Sequence, residues 1–370
     1  GFLVGEEIEK ASSLLEKDPK AGGYILAGSS TSGALGIAGF RLYDTNGIPA
    51  EITKEELFKR NIKVNDNFDA AFQSELEKQK NLSKSSSKMK GDVFDFKGLG
   101  LKVADTKFTG YKEYSSKAKI LIILKEGREI KEASAGAGDI LQIVLDQTPF
   151  YAESGGQVGD TGELESEGNI FQVLDTKKVD NVFLHSGKIK SGFLRSGDIV
   201  TAKINAARRL SIARNHTATH IIQAALRKVL GTHVQQQGSL VGEEKLRFDF
   251  THFKALTKDE IIRVEELANG FVKDGCSVNC KEMPLKEAKD KGALAFFEEK
   301  YGETVRVVTV EDISNELCGG THLNNIKEVG IIKIISEGSV ASGIRRIEAV
   351  TAGFAERFIE LQEEKAIEEI

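Results

Sequence analysis

The sequence of 370 residues lacks tryptophan and holds little proline or cysteine, with 4 Pro and 3 Cys. A small, odd number of cysteines argues against a disulfide-built fold and fits a reducing compartment, so we expect a cytoplasmic protein. No apolar run approaches the ~20 residues that a membrane-spanning helix needs. No basic stretch followed by an apolar core opens the chain, which argues against a secretory signal.

The composition that remains is typical of a globular protein of several domains. Apolar residues make up 40% of the sequence and charged residues 29%. The length of 370 residues, at ~150 residues per domain, predicts two or three domains. A Ser/Lys-rich run at 83–88 and the change of pattern after it indicate a boundary near residue 92. We predict a helical part over 1–92, a β-barrel over 93–205, an α+β part over 206–352 and the start of another helix over 353–370. The fold class is therefore multidomain α+β.

Hydrophobic periodicity is the basis of these assignments. Runs rich in Ile, Leu and Val at 119–125, 139–145 and 198–204 predict strands. Because Gly turns rather than helical segments separate these strands, a small antiparallel barrel is expected. A helical period over 206–230, followed by Gly231, predicts one long helix.

The first part shows helical patterns over 1–18 and 67–89, whereas residues 22–40 give no clear period. Thr53 followed by Glu56 matches the capping-box pattern that opens a helix.

Two pairs of metal-ligand residue types stand at short spacing. His216 and His220 are four residues apart, which places both on one face of a helix. Cys318 and His322 are also four apart, and two glycines between them let the chain wrap. Either pair alone is more often incidental, and the two together leave a metal site and an incidental arrangement equally open.

One thiolate and three imidazoles suit a single Zn²⁺ in a tetrahedral set. The residues between the two helical histidines include no Glu, which disfavours the His-Glu-x-x-His metalloprotease motif. Four protein ligands usually mean a closed, structural site, and a catalytic role would need one ligand to yield or the coordination to expand.

Three neighbouring segments are candidates for ligand contact. Gln235, Gln236 and Gln237 would orient a water or a polar substrate, or simply form a polar turn. Residues 151–160 are Gly-rich without the spacing of a P-loop or a dinucleotide fold, so a plain turn is the alternative. Residues 177–214 carry nine Lys/Arg and two Asp, a phosphate-binding footprint or a solvated basic face.

Taken together, these motifs resemble the alanyl-tRNA synthetase family. The editing signatures of that family are matched by RNHTATH at 214–220, LGTHVQQQGSL at 230–240, CGGTH at 318–322 and YAESGGQVGD at 151–160. LYDTNGIP at 42–49 resembles the end of the family's tRNA-recognition helical region, with Asn46 and Ile48 where Tyr and Phe are frequent.

The resemblance implies an alanine–tRNA ligase whose class II aminoacylation domain, with ATP and Mg²⁺, would precede residue 1. A C-terminal region, with oligomerisation through it, would follow residue 370. The present segment would hold a proofreading domain of the threonyl/alanyl second additional domain type. Its partner would be tRNA(Ala), and its reaction the hydrolysis of Ser-tRNA(Ala) and Gly-tRNA(Ala).

By resemblance, one Zn²⁺ sits on His216, His220, Cys318 and His322. Gln236 matches a family position linked to editing, which implies that it orients substrate or water. Thr219 would touch the hydroxyl of serine. The candidate tRNA contacts, from the resemblance and from the basic residues, are Asp44, Gly155, Gly156, Arg208, Arg209, Arg214, Arg345 and Arg346.

Two alternatives belong to other classes. In one, the metal only stabilises a non-catalytic tRNA-binding module. In the other, the chain is a free-standing trans-editing deacylase, which the helical segment before residue 60 disfavours.

Overall fold

The computed structural model describes residues 25–26, 29–46, 50–75, 78, 104–136, 138–295 and 302–368. The chain divides into two compact units, Gly1–Val93 with Ser339–Gly343, and Phe94–Gly338 with Ile344–Ile370. The four-part division expected from the sequence stays a prediction.

The described part of the first unit is mainly helical. Helix α1 spans Ser29–Asn46, α2 spans Ala50–Lys59, and α3 covers residues 66–75. A short parallel pair joins β1 (Ile25–Leu26) to β2 (Ile62–Lys63). The helices bury a small apolar core formed by Leu35, Leu42, Leu57, Ile62 and Phe68.

Sequence reasoning was partly wrong here. Helix α1 includes residues for which no period was found, because its Gly and Ala positions carry little hydrophobic contrast. Thr53 does not open α2, which begins at Ala50; its side chain is buried within the helix. The expected helix over 67–89 is confirmed at 67–75, while its remainder and the expected helix over 1–18 lie outside the described residues, apart from residue 78.

Six antiparallel strands close into a barrel. They are β4 (Ser115–Lys125), β7 (Leu141–Leu145), β9 (Gly162–Ser166), β10 (Asn169–Val179), β11 (Val182–Ser191) and β13 (Ile199–Ile204). Their order is β13-β9-β10-β11-β7-β4, and pairing of β13 with β4 closes the ring. The predicted barrel is thus confirmed, with all three predicted strand segments in it.

Glycine turns and alternating side chains explain this part. Glu126 and Gly127 both have positive φ, +48° and +79°, which suits the two-residue turn from β4 into β5 (Arg128–Ile130). Alternate residues of the strands fill the interior, with Ile120, Ile143 and Phe171 fully buried.

Four shorter strands accompany the barrel. They form two pairs, β3 (Lys107–Phe108) with β8 (Gln147–Thr148), and β6 (Glu132–Ser134) with β12 (Phe193–Arg195).

Helix α4 (Ala206–Leu230) follows the barrel directly and agrees with the predicted bounds. The Asn205 side chain caps its first turn by accepting from the Arg208 amide, and Gly231 at φ +119° ends it. Its middle is buried on all sides, so the helix forms the centre of the α+β part.

Two sheets and two helices surround α4. One sheet has the order β14 (Gln236–Val241), β15 (Leu246–Thr251), β20 (Ile344–Thr351) and β19 (Ile332–Ala341). The other has the order β16 (Val278–Pro284), β17 (Thr304–Val310) and β18 (Ser314–Leu317). Helix α5 (Lys258–Asp274) packs against α4, and the short α6 (Leu285–Asp290) packs on β16 and β17.

The last described helix, α7 (Ala352–Glu368), confirms the helix expected from this part of the sequence. None of the helices that the structure describes has the length and apolarity needed to cross a membrane.

Candidate metal centre and adjoining cavity

Four side chains from α4 and from the loop after β18 converge, and we name them the His3Cys cluster: His216, His220, Cys318 and His322. Their ligand atoms all lie within 4.8 Å of one another. The Cys318 Sγ atom is 3.3 Å from Nε2 of His216 and 3.3 Å from Nε2 of His322. Ligands at tetrahedral zinc are ~3.5 Å apart, given Zn–S and Zn–N lengths of about 2.3 and 2.1 Å. The cluster is therefore compatible with one metal ion.

Each histidine of the cluster has a polar partner on its other ring nitrogen. Nδ1 of His216 is 2.7 Å from Oε1 of the buried Gln157. Nδ1 of His220 is 3.0 Å from the carboxylate of buried Glu316. Nδ1 of His322 is 3.3 Å from the Thr217 hydroxyl. Such partners fix the imidazoles and leave Nε2 free for a metal, as at known zinc sites.

Two side chains hold the loop that carries Cys318 by donating hydrogen bonds to its backbone carbonyls. The Arg306 guanidinium donates to the Cys318 carbonyl at 2.9 Å and to the Gly320 carbonyl at 2.7 Å. The Tyr111 hydroxyl donates to the Gly319 carbonyl at 2.7 Å. A Cβ on Gly320 would come within 1.9 Å of the His216 ring, so only glycine allows this approach.

The pKa shifts of Cys318 and His322 suit a metal site. Burial by itself raises the pKa of the Cys318 thiol, but the His216 and His322 imidazoles outweigh burial and bring this pKa well below its ordinary value. Burial lowers the pKa of His322 to about 3, with a further contribution from His216. Burial also opposes protonation of His220, but Glu316 reverses this and raises its pKa well above the ordinary value. A thiolate and a neutral imidazole are the forms in which Cys318 and His322 bind metal, whereas His220 must lose its proton to do so.

A cavity of about 720 Å³ opens beside the cluster. His216, His220 and Cys318 line it, together with polar side chains from α4 and β14. The cluster therefore lies at an accessible surface, which a purely structural metal site does not require.

The two residues predicted to act on substrate both line this cavity. Thr219 is buried, and its hydroxyl donates to the Asn215 carbonyl at 2.8 Å, which leaves the oxygen as an acceptor. Gln236 is half-buried at the start of β14, whereas Gln235 and Gln237 are exposed.

The Gly155 and Gly156 pair also lines the cavity. Both have positive φ, and a Cβ on Gly156 would come within 2.3 Å of the Ser239 hydroxyl. Close packing on β14 thus explains Gly156, and its positive φ explains Gly155.

The arginines predicted as tRNA contacts differ in environment. Arg209 is a correction: its side chain is buried and ion-paired with Asp160, and it also donates to the Gly110 and Pro149 carbonyls. Because every donor group of this guanidinium is used inside the protein, it is not a surface contact for tRNA.

The other predicted tRNA contacts stay predictions. Arg208 lies near Glu243 at 3.5 Å, and Arg345 pairs with Glu337. Arg346 binds Asp249 through two hydrogen bonds of 2.6 and 2.8 Å. The remaining two are Arg214, which donates to the Glu328 carbonyl at 2.9 Å, and Asp44, which lies in α1 with its side chain outside the described part.

Sequence reasoning missed four residues of the site. Gln157, Thr217 and Glu316 hold the histidines, and Gln223 lines the cavity one turn after His220. Within the described residues, Nε2 of the buried Gln223 has no hydrogen-bond partner. Gln157 and Thr217 had a signal, since they lie within the motifs at 151–160 and 214–220, whereas Glu316 and Gln223 are ordinary polar residues in sequence.

Family models match two segments of the chain. Residues 30–208 match the model described as class II (A) tRNA synthetases, and residues 305–348 match the threonyl and alanyl tRNA synthetase second additional domain. The second segment contains Cys318 and His322.

Similar curated proteins point the same way. The chain is 45% identical to an alanine–tRNA ligase of Thermoanaerobacter sp. (strain X514), over 89% of the chain and 37% of that protein. It is 41% identical to the alanine–tRNA ligase of Pelotomaculum thermopropionicum, over 100% of the chain and 41% of that protein. It is 43% identical to the alanine–tRNA ligase of Clostridioides difficile (strain 630), over 94% of the chain and 40% of that protein. The chain thus spans about two fifths of the length of the curated relatives it matches.

The family models cover the helical part from residue 30, the barrel and the loop that carries Cys318, and both describe tRNA synthetases. The chain belongs to the alanyl-tRNA synthetase family.

Proposed function

We propose that the cavity beside the His3Cys cluster hydrolyses the ester of Ser-tRNA(Ala) and Gly-tRNA(Ala). The observation that carries the proposal is the position of the cluster at an open cavity that the polar side chains of Thr219, Gln223, Gln236 and Ser239 also line. The match of residues 305–348 to the second additional domain and the similarity to alanine–tRNA ligases support it.

The reaction has a physical rationale. A pocket shaped for alanine cannot strongly exclude glycine, which lacks one methyl group, or serine, which adds one hydroxyl. Differences of one small group give only about 10- to 200-fold discrimination, and a second, hydrolytic site is the usual remedy.

The His3Cys cluster has the donor set of a zinc site, so we propose that it holds one Zn²⁺. When bound, the ion would supply carbonyl polarisation, or lower the pKa of a water toward ~7. Cys318 and the three histidines would hold it, and Gln157, Glu316 and Thr217 would orient those histidines.

The side chains of this chain bind and orient the reacting groups. Water adds to the ester carbonyl carbon, the bond to the ribose oxygen breaks, and that oxygen takes up the proton. We assign Gln236 to orienting the water or the ester through its side-chain amide. Thr219 offers an acceptor to the hydroxyl of a bound serine, since its own proton is donated to Asn215.

For the whole protein we propose alanine–tRNA ligase activity with ATP and Mg²⁺, with tRNA(Ala) as partner in the cytoplasm. The support is the similarity to curated alanine–tRNA ligases over 85–100% of the chain and the class II match.

The test compares ester loss from Ser-tRNA(Ala) and Ala-tRNA(Ala) with excess purified chain. Wild type should release serine well above the buffer rate and spare alanine. Gln236→Ala should slow serine release about 100-fold, the usual effect of removing one oriented hydrogen-bonding group. The metal content of Gln236→Ala should equal that of wild type. Gln237→Ala, at an exposed neighbouring position, is the control and should keep wild-type activity.

If wild type releases serine no faster than buffer while its metal content is one per chain, the cluster is a structural staple and the hydrolytic proposal is wrong. If Gln236→Ala matches wild type, the role given to Gln236 is wrong.

A further inference from the structure

A second cavity, of about 350 Å³, adjoins the first. Its wall is rich in aromatic side chains, so we name it the aromatic cleft: Phe108, Tyr111, Tyr151, Phe183 and Lys178 line it. Tyr151, Ser154, Lys178 and Gly319 line both cavities, so the two spaces are adjacent.

The rings of the aromatic cleft are packed on one another. The Phe108 and Phe183 rings are stacked with centroids 5.6 Å apart, and Tyr111 meets Phe108 edge-on at 4.9 Å. The Arg306 guanidinium lies 4.3 Å from the Tyr111 ring centroid. Yet Tyr111 keeps 44% of its surface exposed, the largest exposed fraction of these rings. Aromatic and guanidinium faces of this kind bind nucleobases by stacking.

We propose that the aromatic cleft binds the terminal adenine of the tRNA, one ribose away from the ester. The inference rests on the proposed function and deepens it. An aminoacyl ester is covalently joined to its nucleoside, so a cavity that binds the ester needs a neighbouring space for the base. The aromatic cleft adjoins the cavity beside the His3Cys cluster and has the ring-lined wall that a purine requires.

Lys178 supplies a positive charge for the phosphate of the terminal nucleotide. Its side chain lies at the junction of both cavities, with Nζ 5.6 Å from the Phe183 ring centroid. Among the described residues, Lys178 has no carboxylate within ion-pair distance, whereas its neighbour Lys177 lies 3.8 Å from Asp175. We therefore assign Lys178 to the phosphate of the terminal nucleotide.

Tyr111 has a structural task as well, because its hydroxyl holds Gly319 in the loop of Cys318. A variant must therefore separate the ring from the hydroxyl. Tyr111→Phe keeps the ring and removes the hydrogen bond, whereas Tyr111→Leu removes both.

The first experiment is a binding measurement that needs no hydrolysis. Uncharged tRNA(Ala) with 2-aminopurine as its last base is titrated with the chain, and stacking is followed by fluorescence quenching. Wild type and Tyr111→Phe should quench, and Tyr111→Leu should quench much less at equal metal content. Lys178→Gln should weaken binding about 10-fold, and Lys177→Gln should weaken it much less.

The second experiment uses Ser-tRNA(Ala) with an abasic last nucleotide. Its KM should rise about 10-fold above that of the normal substrate, the usual effect of losing one stacked base. Equal KM values, or equal quenching by wild type and Tyr111→Leu, would overturn the proposal. If wild type quenches but hydrolyses neither substrate, the proposed hydrolysis fails while the base-binding cleft stands.

Discussion

At the scale of single residues, the cavity beside the His3Cys cluster contains a polar side chain to which we assign a role in substrate selection. Gln223 is buried, lines the cavity, and has no partner for Nε2 within the part of the chain that the structure describes. A buried donor without an acceptor costs about 1–3 kcal/mol, and a hydroxyl-bearing ligand would relieve that cost. Thr219, four residues earlier on the same helix face, offers an acceptor to the same hydroxyl.

We predict that Gln223→Leu lowers the rate of serine release about 10- to 100-fold, because the serine hydroxyl then loses the hydrogen bond that the buried Gln223 amide would donate. Release of glycine, which has no side-chain hydroxyl, should change little. The measurement is kcat/KM for Ser-tRNA(Ala) and Gly-tRNA(Ala) with both proteins. An equal fall for the two substrates would contradict this role and would indicate general damage to the cavity.

A second prediction at this scale concerns His185 inside the barrel. Its Nδ1 donates to the Ile143 carbonyl at 2.9 Å, and its Nε2 accepts from the Thr148 hydroxyl at 2.7 Å. Burial lowers its pKa to about 4, although the bond to Ile143 opposes this.

Since the unfolded pKa is about 6.5, the unfolded state binds the proton first as pH falls, and stability is lost between about pH 6.5 and 4. We expect His185 to account for about 2 kcal/mol of stability lost between pH 7 and pH 5. Urea unfolding at both pH values measures this loss, which should be smaller by that amount in His185→Gln. Equal losses in the two proteins, or an imidazole seen by NMR to titrate near pH 6.5, would contradict the prediction.

At the scale of secondary-structure elements, α4 joins the barrel to the α+β part through Arg209. Its Nε donates to both oxygens of the Asp160 carboxylate, at 3.1 and 3.0 Å, and Asp160 also accepts from the Tyr151 amide at 2.7 Å. The side chains of Arg209 and Asp160 are 3% and 2% exposed. This buried pair fixes the start of α4 on the Gly-rich segment that lines the cavity.

Arg209→Met should lower the free energy of unfolding by about 3–5 kcal/mol, because it leaves the Asp160 charge buried without a partner. Adding Asp160→Asn should recover part of that loss, since Asn keeps an acceptor for Tyr151 and removes the charge. Arg208→Met is the matched control, because the Arg208–Glu243 pair is more exposed and should contribute about 1 kcal/mol or less. Urea unfolding of the four proteins measures these differences, and similar values for both single arginine variants would contradict the prediction.

At the scale of the whole molecule, the metal centre is built from segments distant in sequence. Gln157, which lies between β8 and β9, accepts from His216 of α4, and its own amide donates to Thr321 of the cysteine loop at 2.9 Å. The Thr321 amide in turn donates to Gln157 at 2.9 Å. One buried glutamine therefore links the Gly-rich segment to both halves of the His3Cys cluster.

We predict that Gln157→Leu weakens metal affinity about 10- to 100-fold, the usual effect of removing a partner that orients a histidine ligand. Gln157→Glu keeps an acceptor for His216 and should retain most of the affinity. Competition with a chromophoric chelator measures the dissociation constants, with Gln237→Ala as a control away from the cluster. Unchanged affinity in Gln157→Leu, with its fold intact by circular dichroism, would show that His216 is oriented without this bond.

The elements predicted correctly from the sequence are those whose signals lie within a few neighbouring residues. Helix α4 was predicted with its observed bounds, because its period and the glycine after it are local features. The strand segments were predicted for the same reason. Helix α1 was missed, since a run of Ser, Gly and Ala gives little periodic contrast even where its Leu residues are buried.

The sequence by itself determined the alternating strands of the barrel, the long helix, and the two ligand pairs, each within one turn or one short loop. Only the tertiary structure decided that β13 closes on β4, that Gln157 and Glu316 hold histidines, and that Arg209 is an internal anchor rather than a tRNA contact. The physical reason is that periodicity and capping act over a few residues. Ring closure, histidine orientation and burial of a charge instead depend on which distant segments pack together.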